Sequence, residues 1–332
     1  MDPLTQGVVG AIAAQQITSK KKMFCAAIVG FFSGMAADLD ILIRSSNDPF
    51  LALEFHRNFT HSIVFIPIGG LVCAITFYYL FLKRYGFGFK NTYFFSTAGY
   101  ATHGLIDSCT SYGTQLFWPF SNYRVSWDII SIIDPLFTLP LLFLIFFSIF
   151  KKKKLYIYIA TCWIFLYFLV GYIQHDRAIY IGKHLALSRG HNLIKINAKP
   201  SFANLLVWKV IYTTKTNFVV DAVKVGFNTK VYKGSEIEIL NIKKEFPELN
   251  VNSQQAKDIE RFKWFSDGYV ARSKKFPNRI DDIRYSMLPN EISGLWGIEI
   301  DPYLNNKNHA KYVFNRAIKG NAWKKLWKMI IN

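Results

Sequence analysis

The sequence predicts an α-helical integral membrane domain followed by a small α+β soluble domain. The 332 residues are 51% hydrophobic and 17% aromatic but only 19% charged, and long apolar runs gather in the first half of the chain. The net charge of +18 is also unevenly placed. Residues 1–174 hold 13 basic and 8 acidic side chains, whereas residues 175–332 hold 27 and 14. We therefore expect a polytopic membrane domain at 1–174 and an extramembrane α+β domain at 175–332.

The first domain is expected to contain about five transmembrane helices, since a spanning helix needs about 20 mostly apolar residues. An N-terminal segment, Leu4 to Ile17, is shorter and carries three glutamines, which predicts a short buried or interfacial helix. The third predicted span is shorter and more polar than the others. The five predicted spans are Met23 to Ile43, Ser62 to Leu82, Thr92 to Cys109, Asp128 to Phe150 and Leu155 to Ile173.

Basic residues between the predicted spans indicate an orientation. They cluster at 20–22, 83–90 and 151–154, while the other two connections carry few. Cytoplasmic connections of membrane proteins are enriched in Lys and Arg. The pattern predicts a cytoplasmic amino terminus, outward-facing connections at 44–61 and 110–127, and a C-terminal domain outside the cell membrane.

The C-terminal domain shows strand and helix patterns. Residues Asn204 to Thr213 and Asn217 to Val225 predict a hairpin, because a short polar link separates two strand-like runs. Further strands are expected at Ser235 to Leu240 and Asp282 to Met287. Helical periodicity predicts helices at Ser253 to Phe265 and Tyr312 to Ile330.

The partner expected from this composition is the lipid bilayer. The last predicted helix sets Trp323 and Trp327 beside several lysines, a pattern that suits either the membrane surface or packing on the domain's own sheet. A nucleic-acid partner is not expected, because the basic residues of the C-terminal half are interleaved with acidic ones instead of forming a stripe.

A small set of ionisable residues gathers toward one side of the predicted membrane domain. Charged and imidazole groups within spans are costly, so each is a candidate for function. With a rise of about 1.5 Å per residue, the members within spans all fall in the outer half of the bilayer, and the connection on that side supplies the rest. The set comprises Asp38, Asp40, His56, Arg57, His61, His103 and Asp107, with Asp128 and Asp134 at the start of the fourth span.

The residue types favour a metal site. His103 and Asp107 are four apart and share one helix face, while His56 and His61 suit a loop that ends at a helix start. Imidazoles and carboxylates without thiolates are typical ligands of zinc or manganese, and the number of groups suffices for two ions. Asp38 and Asp40 are expected as further ligands or as a general base.

Arg57 is expected to hold an anionic oxygen of the substrate, because a guanidinium suits carboxylate or phosphate. The less specific interpretation of each residue is a helix cap or a helix–helix hydrogen bond. Asp38 and Asp40 are two apart and point to different helix faces, so one of them serves only as a cap in that interpretation.

These segments resemble the YdjM-like family of bacterial inner-membrane proteins, described as metal-dependent hydrolases and as LexA-regulated in some bacteria. The resemblance rests on MDPLTQG, GMAADLD, FHRNFTHS, GYATHGLIDSCTSYGTQLFWPFS and SIIDPLFTLPL, and continues through the C-terminal half. It implies inner-membrane localisation and identifies His56, His61, His103 and Asp107 as the metal ligands, with Asp38 and Asp40 in the DLD motif. Many relatives have Thr-His where this chain has Thr5-Gln6, so Gln6 either supplies a weaker oxygen ligand or marks a different coordination number.

Two hypotheses of function follow. In the first, the chain is a metal-dependent hydrolase that attacks an ester or phosphoester of a lipid or envelope precursor with metal-activated water. Asp38, Asp40 and Arg57 are then catalytic. In the alternative, the chain is a non-enzymatic membrane protein with a metal-stabilised polar core and an envelope-binding outer domain.

Overall fold

The contacts within the chain divide it into two units. The computed structural model describes residues 1–315 and 321–331. A helical unit comprises Met1–Ile43, Phe55–Ile173 and Phe202–Asn204, and a sheet unit comprises Arg44–Glu54, Gln174–Ser201 and Leu205–Asn332. The segment Arg44–Glu54 therefore packs within the sheet unit, although it connects the first two predicted spans.

Six long helices form or enter the helical unit. They are α1 (Pro3–Gln16), α2 (Met23–Met35), α4 (Ile66–Leu80), α5 (Phe89–Cys109), α6 (Pro135–Lys151) and α7 (Leu155–Ser188). A short helix, α3 (Leu51–Phe55), lies between α2 and α4 in the chain. Tighter 3₁₀ turns flank them at Lys20–Lys22, Ala36–Leu42, Phe59–His61, Ile63–Phe65 and Leu82–Tyr85.

Capping residues set where two of these helices begin. Asp2 accepts a hydrogen bond from the backbone N–H of Thr5 at 3.0 Å, and Asp134 accepts one from Leu136 at 3.2 Å. In both cases a proline follows at the first helical position, which suits its fixed φ. The expected helix start at Asp128 is wrong, because Asp128 itself has a left-handed φ of 57° and the helix starts only at Pro135.

Three helical stretches in the described part of the chain are long and apolar enough to cross a membrane. They are Lys20–Leu42, Ile63–Leu80 and Leu155–Ser188, fewer than the five predicted. Of the other two predicted spans, α6 is a shorter apolar helix of 17 residues. α5 has 21 residues, but its Thr, Ser, Asn, His and Asp side chains make it more polar than the rest.

Glycines bring α1, α2 and α5 into backbone contact. A Cβ added at Gly30 of α2 would lie 2.5 Å from the Cβ of Ala14 and closer still to the carbonyl of Gly10. A Cβ at Gly99 of α5 would lie 2.8 Å from the Cα of Gly30. Small residues allow such close packing where lipid tails provide no hydrophobic drive between helices. α1 is accordingly among the most buried helices of the chain.

Two antiparallel four-stranded sheets form the sheet unit. The first has the order β1 (Lys195–Pro200), β2 (Val207–Thr213), β3 (Asn217–Val225), β4 (Thr229–Glu238). The second has the order β5 (Val270–Arg272), β6 (Arg279–Asp282), β7 (Trp296–Glu299), β8 (Lys311–Phe314). The helices α8 (Ile242–Glu245), α9 (Gln254–Phe265) and α10 (Ala322–Ile331) complete it. This arrangement confirms a soluble α+β region after the helical part.

The predicted hairpin is confirmed, since β2 and β3 pair antiparallel with Thr213 opposite Phe218. The predicted helix at 253–265 is confirmed as α9, which Ser253 caps by accepting from the N–H of Ala256. The strand expected around Ser235 to Leu240 is the second half of β4. The side chain of Arg261 on α9 also pairs with Asp48 at 2.8 Å, which ties Arg44–Glu54 into the sheet unit.

Two expectations for the sheet unit are wrong. The strand predicted at Asp282 to Met287 ends at Asp282, because its carboxylate accepts from the N–H of Arg284 at 3.0 Å and turns the chain. The helix predicted from Tyr312 begins only at Ala322. Tyr312 is instead in β8, opposite Ile298, and the part of that prediction at 316–320 lies outside the described residues.

Substituting Gly30 by Ala tests the glycine contact. We expect Gly30→Ala to destabilise the helical unit by about 1–3 kcal/mol, the usual cost of overpacking a close interface. Unfolding of the full chain by SDS in mixed micelles would measure this free energy. Gly88→Ala is the matched control, because a Cβ at Gly88 meets no atom within 4 Å. Equal stability of the two variants would contradict the close packing.

Candidate metal centre

Three segments of the chain supply the residues of the candidate site. The 3₁₀ segment Ala36–Leu42 at the end of α2 carries Asp38 and Asp40, and the last turns of α5 carry His103 and Asp107. The connection before α4 supplies the two remaining histidines, His56 and His61, together with Arg57. All of these residues belong to the helical unit.

The local backbone turns these side chains toward one another. Arg57 has a left-handed φ of 63°, which costs a residue other than glycine free energy and therefore needs compensation. Its N–H donates to the Asp40 carboxylate at 3.0 Å, and the hydroxyl of Thr60 donates to the same oxygen at 2.9 Å. Asp40 thereby holds the turn from which His56 and His61 project.

Four residues form a first candidate metal-binding group. One ligand atom from each of Asp38, His61, His103 and Asp107 lies within 4.8 Å of all the others. The Nε2 atoms of His61 and His103 are 2.9 Å apart, and each is 3.3 Å from an Asp38 oxygen. Asp107 Oδ2 is 3.4 Å from the Nε2 of His61 and 3.7 Å from that of His103. For a tetrahedral zinc site with bonds near 2.0–2.1 Å, the ligand atoms are about 3.3 Å apart, so this buried group could bind a metal ion.

Hydrogen bonds fix the rings of both histidines. His103 Nδ1 lies 2.6 Å from the carbonyl oxygen of Gly34, which can only accept, so the proton of that ring sits on Nδ1. His61 Nδ1 lies 3.0 Å from the hydroxyl of Thr60 and 3.2 Å from Asp40. Both Nε2 lone pairs therefore face the centre of the group, which is the orientation that metal-bound histidines require.

The centre of this group favours positive charge. Two imidazole lone pairs at 2.9 Å repel each other unless a cation or a proton lies between them. Burial alone would lower the pKa of His61, but hydrogen bonds to Asp107, Asp38 and Asp40 outweigh it and raise that pKa to about 10. The surroundings thus stabilise a positive charge at this point of the unit.

A second group shares one residue with the first. Asp38, Asp40 and His56 also offer ligand atoms within 4.8 Å of one another. His56 Nδ1 is 2.8 Å from Asp40 Oδ1, and the His56 side chain keeps about a fifth of its surface exposed. Asp38 is the common member, with a side chain 27% exposed. A carboxylate shared in this way is suited to lie between two ions.

Asp107 lies at the centre of a buried network. Arg57 Nε is 3.0 Å from Asp107 Oδ2, the Gln6 amide donates to Oδ1 at 2.6 Å, and the α-amino group of Met1 contacts the same oxygen. Arg57 also donates to the hydroxyl of Thr110 at 3.0 Å. Its guanidinium is therefore engaged with a candidate ligand, and its role as an anion clamp stays a prediction.

The predicted residues are brought together, but in a different grouping. His61, His103 and Asp107 share the first group with Asp38, whereas His56 joins the second group. Asp134 belongs to neither of the two groups and instead caps α6 and accepts from the hydroxyl of Tyr167 at 2.8 Å. Asp128 is likewise outside both groups.

Sequence reasoning did not identify the partners that orient the ligands. The carbonyl of Gly34, the hydroxyl of Thr60 and the amide of Gln6 all contact members of the two groups. From the sequence, Gln6 is expected to supply a weaker oxygen ligand or to mark a different coordination number, and its contact with Asp107 is not predicted. Its Oε1 is fully buried and has no hydrogen-bond partner in the described part of the chain, whereas its amide nitrogen binds Asp107.

The fold and site define an integral membrane protein with a buried His/Asp cluster that could hold a metal ion. The chain belongs to the family described as YdjM inner membrane protein, whose model matches residues 1–178. It is also similar to the inner membrane protein YbcI of Escherichia coli (strain K12), with 30% identity over 109 residues. That match covers 31% of this chain and 60% of the relative. No solved structure matches the chain.

Removing one imidazole side chain from the first group tests metal binding. We expect His103→Ala to weaken Zn²⁺ binding by more than about tenfold, since even loss of an orienting partner costs 10–100-fold. Metal content by mass spectrometry and calorimetric titration of the purified full chain would measure it. His184→Ala, at an exposed position of α7, is the control. Unchanged Zn²⁺ affinity in both His103→Ala and His61→Ala would show that the group is not a metal site.

Proposed function

We propose that this chain is a membrane-bound metal-dependent hydrolase that acts on an ester or phosphoester of a lipid or envelope precursor. The observation that carries the proposal is the convergence of ligand atoms from Asp38, His61, His103 and Asp107 in one buried group. Hydrolysis fits this group because a divalent zinc or manganese ion supplies Lewis acidity and lowers the pKa of bound water.

The contacts of each residue indicate its role in the proposed reaction. His61, His103, Asp107 and Asp38 hold the ion. Asp40 is 3% exposed and already has four partners, so it acts by orienting His56 and His61. In this scheme Asp40 is a positioning residue and not the base.

His56 is the more accessible imidazole, and its Nδ1 is held by Asp40 at 2.8 Å. A histidine oriented by a carboxylate is a common general acid or base. We therefore assign His56 to the second group, either as a ligand of a second ion or as the group that moves a proton to the leaving oxygen. Arg57 contacts Asp107 at 3.0 Å and so holds the carboxylate of this candidate ligand in place.

The alternative function is a metal-stabilised structural core in a non-enzymatic protein. Complete burial of His103 and Asp107 favours it, because these two residues tie α5 to Gln6 of α1 and to Gly34 of α2. Under this alternative the outer domain binds an envelope component.

Substitution of His56 separates the two functions. We expect zinc- or manganese-loaded wild type to hydrolyse one member of a panel of lipid phosphomonoesters, phosphodiesters and carboxylic esters in mixed micelles. His56→Ala should lose turnover by at least about 100-fold, the usual contribution of acid–base catalysis, while the thermal midpoint and first-group metal content stay unchanged. His184→Ala is again the control. Full wild-type turnover in His56→Ala would contradict the assigned role. An inactive metal-loaded wild type, with His103→Ala unfolded, would establish the structural alternative.

The contacts of the basic residues support an orientation with the site facing outward. Lys22 lies over the ring of Phe87 at 5.3 Å, and Lys154 donates to the carbonyl of Gln16 at 3.0 Å. The three basic clusters thus meet at one end of the helical unit, while the metal-binding groups lie at the other ends of α2 and α5. By the positive-inside rule the basic end is cytoplasmic.

The same contacts revise one part of the orientation expected from the sequence. Gln6 near the start of α1 binds Asp107, and the end of α1 at Gln16 meets Lys154. α1 therefore runs from the site end to the basic end of the helical unit. An outward-facing site and a cytoplasmic start of α1 cannot both be correct. We retain the outward site, which puts the first residues of α1 outside as well.

Fusion reporters test this orientation. We expect alkaline phosphatase fused after Ser188, at the end of α7, to be active, because α7 starts at the basic end and leaves the helical unit at Ile173. A fusion after Lys152, between α6 and α7, is the control and should be inactive. Fluorescence of green fluorescent protein fused after Ser188 would reverse the orientation and place the site on the cytoplasmic side.

A further inference from the structure

We propose that an apolar groove beside Asp40 holds one acyl chain of a membrane lipid, which makes a lipid with an ester or phosphoester near its headgroup the substrate of the metal centre. This inference rests on the proposed hydrolase function and narrows its substrate class. The groove has a volume of about 460 Å³ and lies entirely within the helical unit.

The shape of the groove comes from small residues beneath large ones. Its floor contains Ala36, Gly69 and Cys73, and a Cβ added at Gly69 would overlap the ring of Tyr100. Side chains that are more than half exposed form its rim, namely Phe32, Leu39 and Val72. The groove is therefore open on the side of these exposed residues, where a hydrocarbon chain could enter from the bilayer.

The groove has one polar end, formed by Asp40 and Thr60. The Thr60 hydroxyl donates to the Asp40 carboxylate at 2.9 Å. The other hydroxyls have partners in the protein, since Thr76 donates to the carbonyl of Val72 and Tyr100 to that of Thr60. Asp40 also binds His56, so the polar end of the groove adjoins the second metal-binding group.

The apolar remainder of the groove fits a hydrocarbon chain better than a water-soluble ester. Its walls come from the membrane-crossing segments Lys20–Leu42 and Ile63–Leu80, so it opens toward lipid tails. A polar molecule there would leave hydrogen-bonding groups without partners, which is costly in hydrocarbon. An acyl chain has no such groups.

The groove orients the lipid more than it increases the affinity of the protein for the lipid. A lipid tail that moves from the bilayer into an equally apolar groove gains little from the hydrophobic effect. What it gains is a fixed orientation, because the headgroup end of a chain seated between Phe77 and Leu39 is directed toward Asp40 and His56. Holding the reacting bond near the catalytic groups is itself a source of rate.

Photolabelling in membranes tests the groove without requiring turnover. The probe is phosphatidylglycerol with a diazirine in one acyl chain, incorporated with the full-length, metal-loaded protein into phosphatidylglycerol vesicles. We expect labels on peptides that contain the groove walls at 32–39 and 65–77. Val72→Trp should lose this labelling because the indole fills the groove. Leu71→Trp, the adjacent exposed position of α4 outside the groove, should keep it.

Thr76→Phe is the second groove-filling variant, and unchanged metal content shows that each variant is folded. Equal labelling of wild type, Val72→Trp and Thr76→Phe would overturn the groove assignment. So would labels spread evenly over Ile68, Leu71 and Ile75 of α4.

Kinetics distinguish failure of this inference from failure of the proposed function. We expect Val72→Trp to raise KM for a long-chain lipid, whereas Leu71→Trp, outside the groove, should leave that KM unchanged. Groove labelling without hydrolysis of any ester would refute the hydrolase and keep the lipid site. Hydrolysis that is independent of chain length, without groove labelling, would refute the lipid site and keep the hydrolase.

Discussion

Backbone contact among α1, α2 and α5 is the constraint on which the candidate metal centre depends. Each of these helices supplies a part of the centre that the others cannot replace: the Gln6 amide, the Gly34 carbonyl and the two ligands of α5. The carbonyl of Gly34 reaches His103 where Gly10, Gly30 and Gly99 allow the three helix backbones to approach closely. The close packing of these helices therefore also determines the positions of the candidate ligands.

Oriented lone pairs give the centre its chemical character. The hydrogen bonds of both Nδ1 atoms are satisfied by the protein, which leaves the Nε2 atoms and two carboxylates directed at one point. An arrangement of four acceptors is stable when a cation neutralises it. Burial increases this requirement, since charges interact more strongly where water is excluded. The same argument holds whether the ion serves catalysis or structure.

Part of this arrangement could be predicted from the sequence. The spacing of His103 and Asp107 was sufficient to place them on one helix face, and β2 and β3 could be recognised from local pattern alone. The choice of Asp38 over His56 as the fourth member could not, because it depends on α2 tightening into a 3₁₀ segment at Ala36. The strand at Tyr312 depends on pairing with Ile298, which local periodicity does not report.

Asp38 belongs to both metal-binding groups, and this sharing makes the two groups thermodynamically linked. An ion in one group withdraws negative charge from the carboxylate on which the other group relies. Linkage requires that each ion change the affinity of the other by the same factor. The first ion to bind would therefore lower the affinity for the second, and the two groups would fill in sequence as the supply of metal rises.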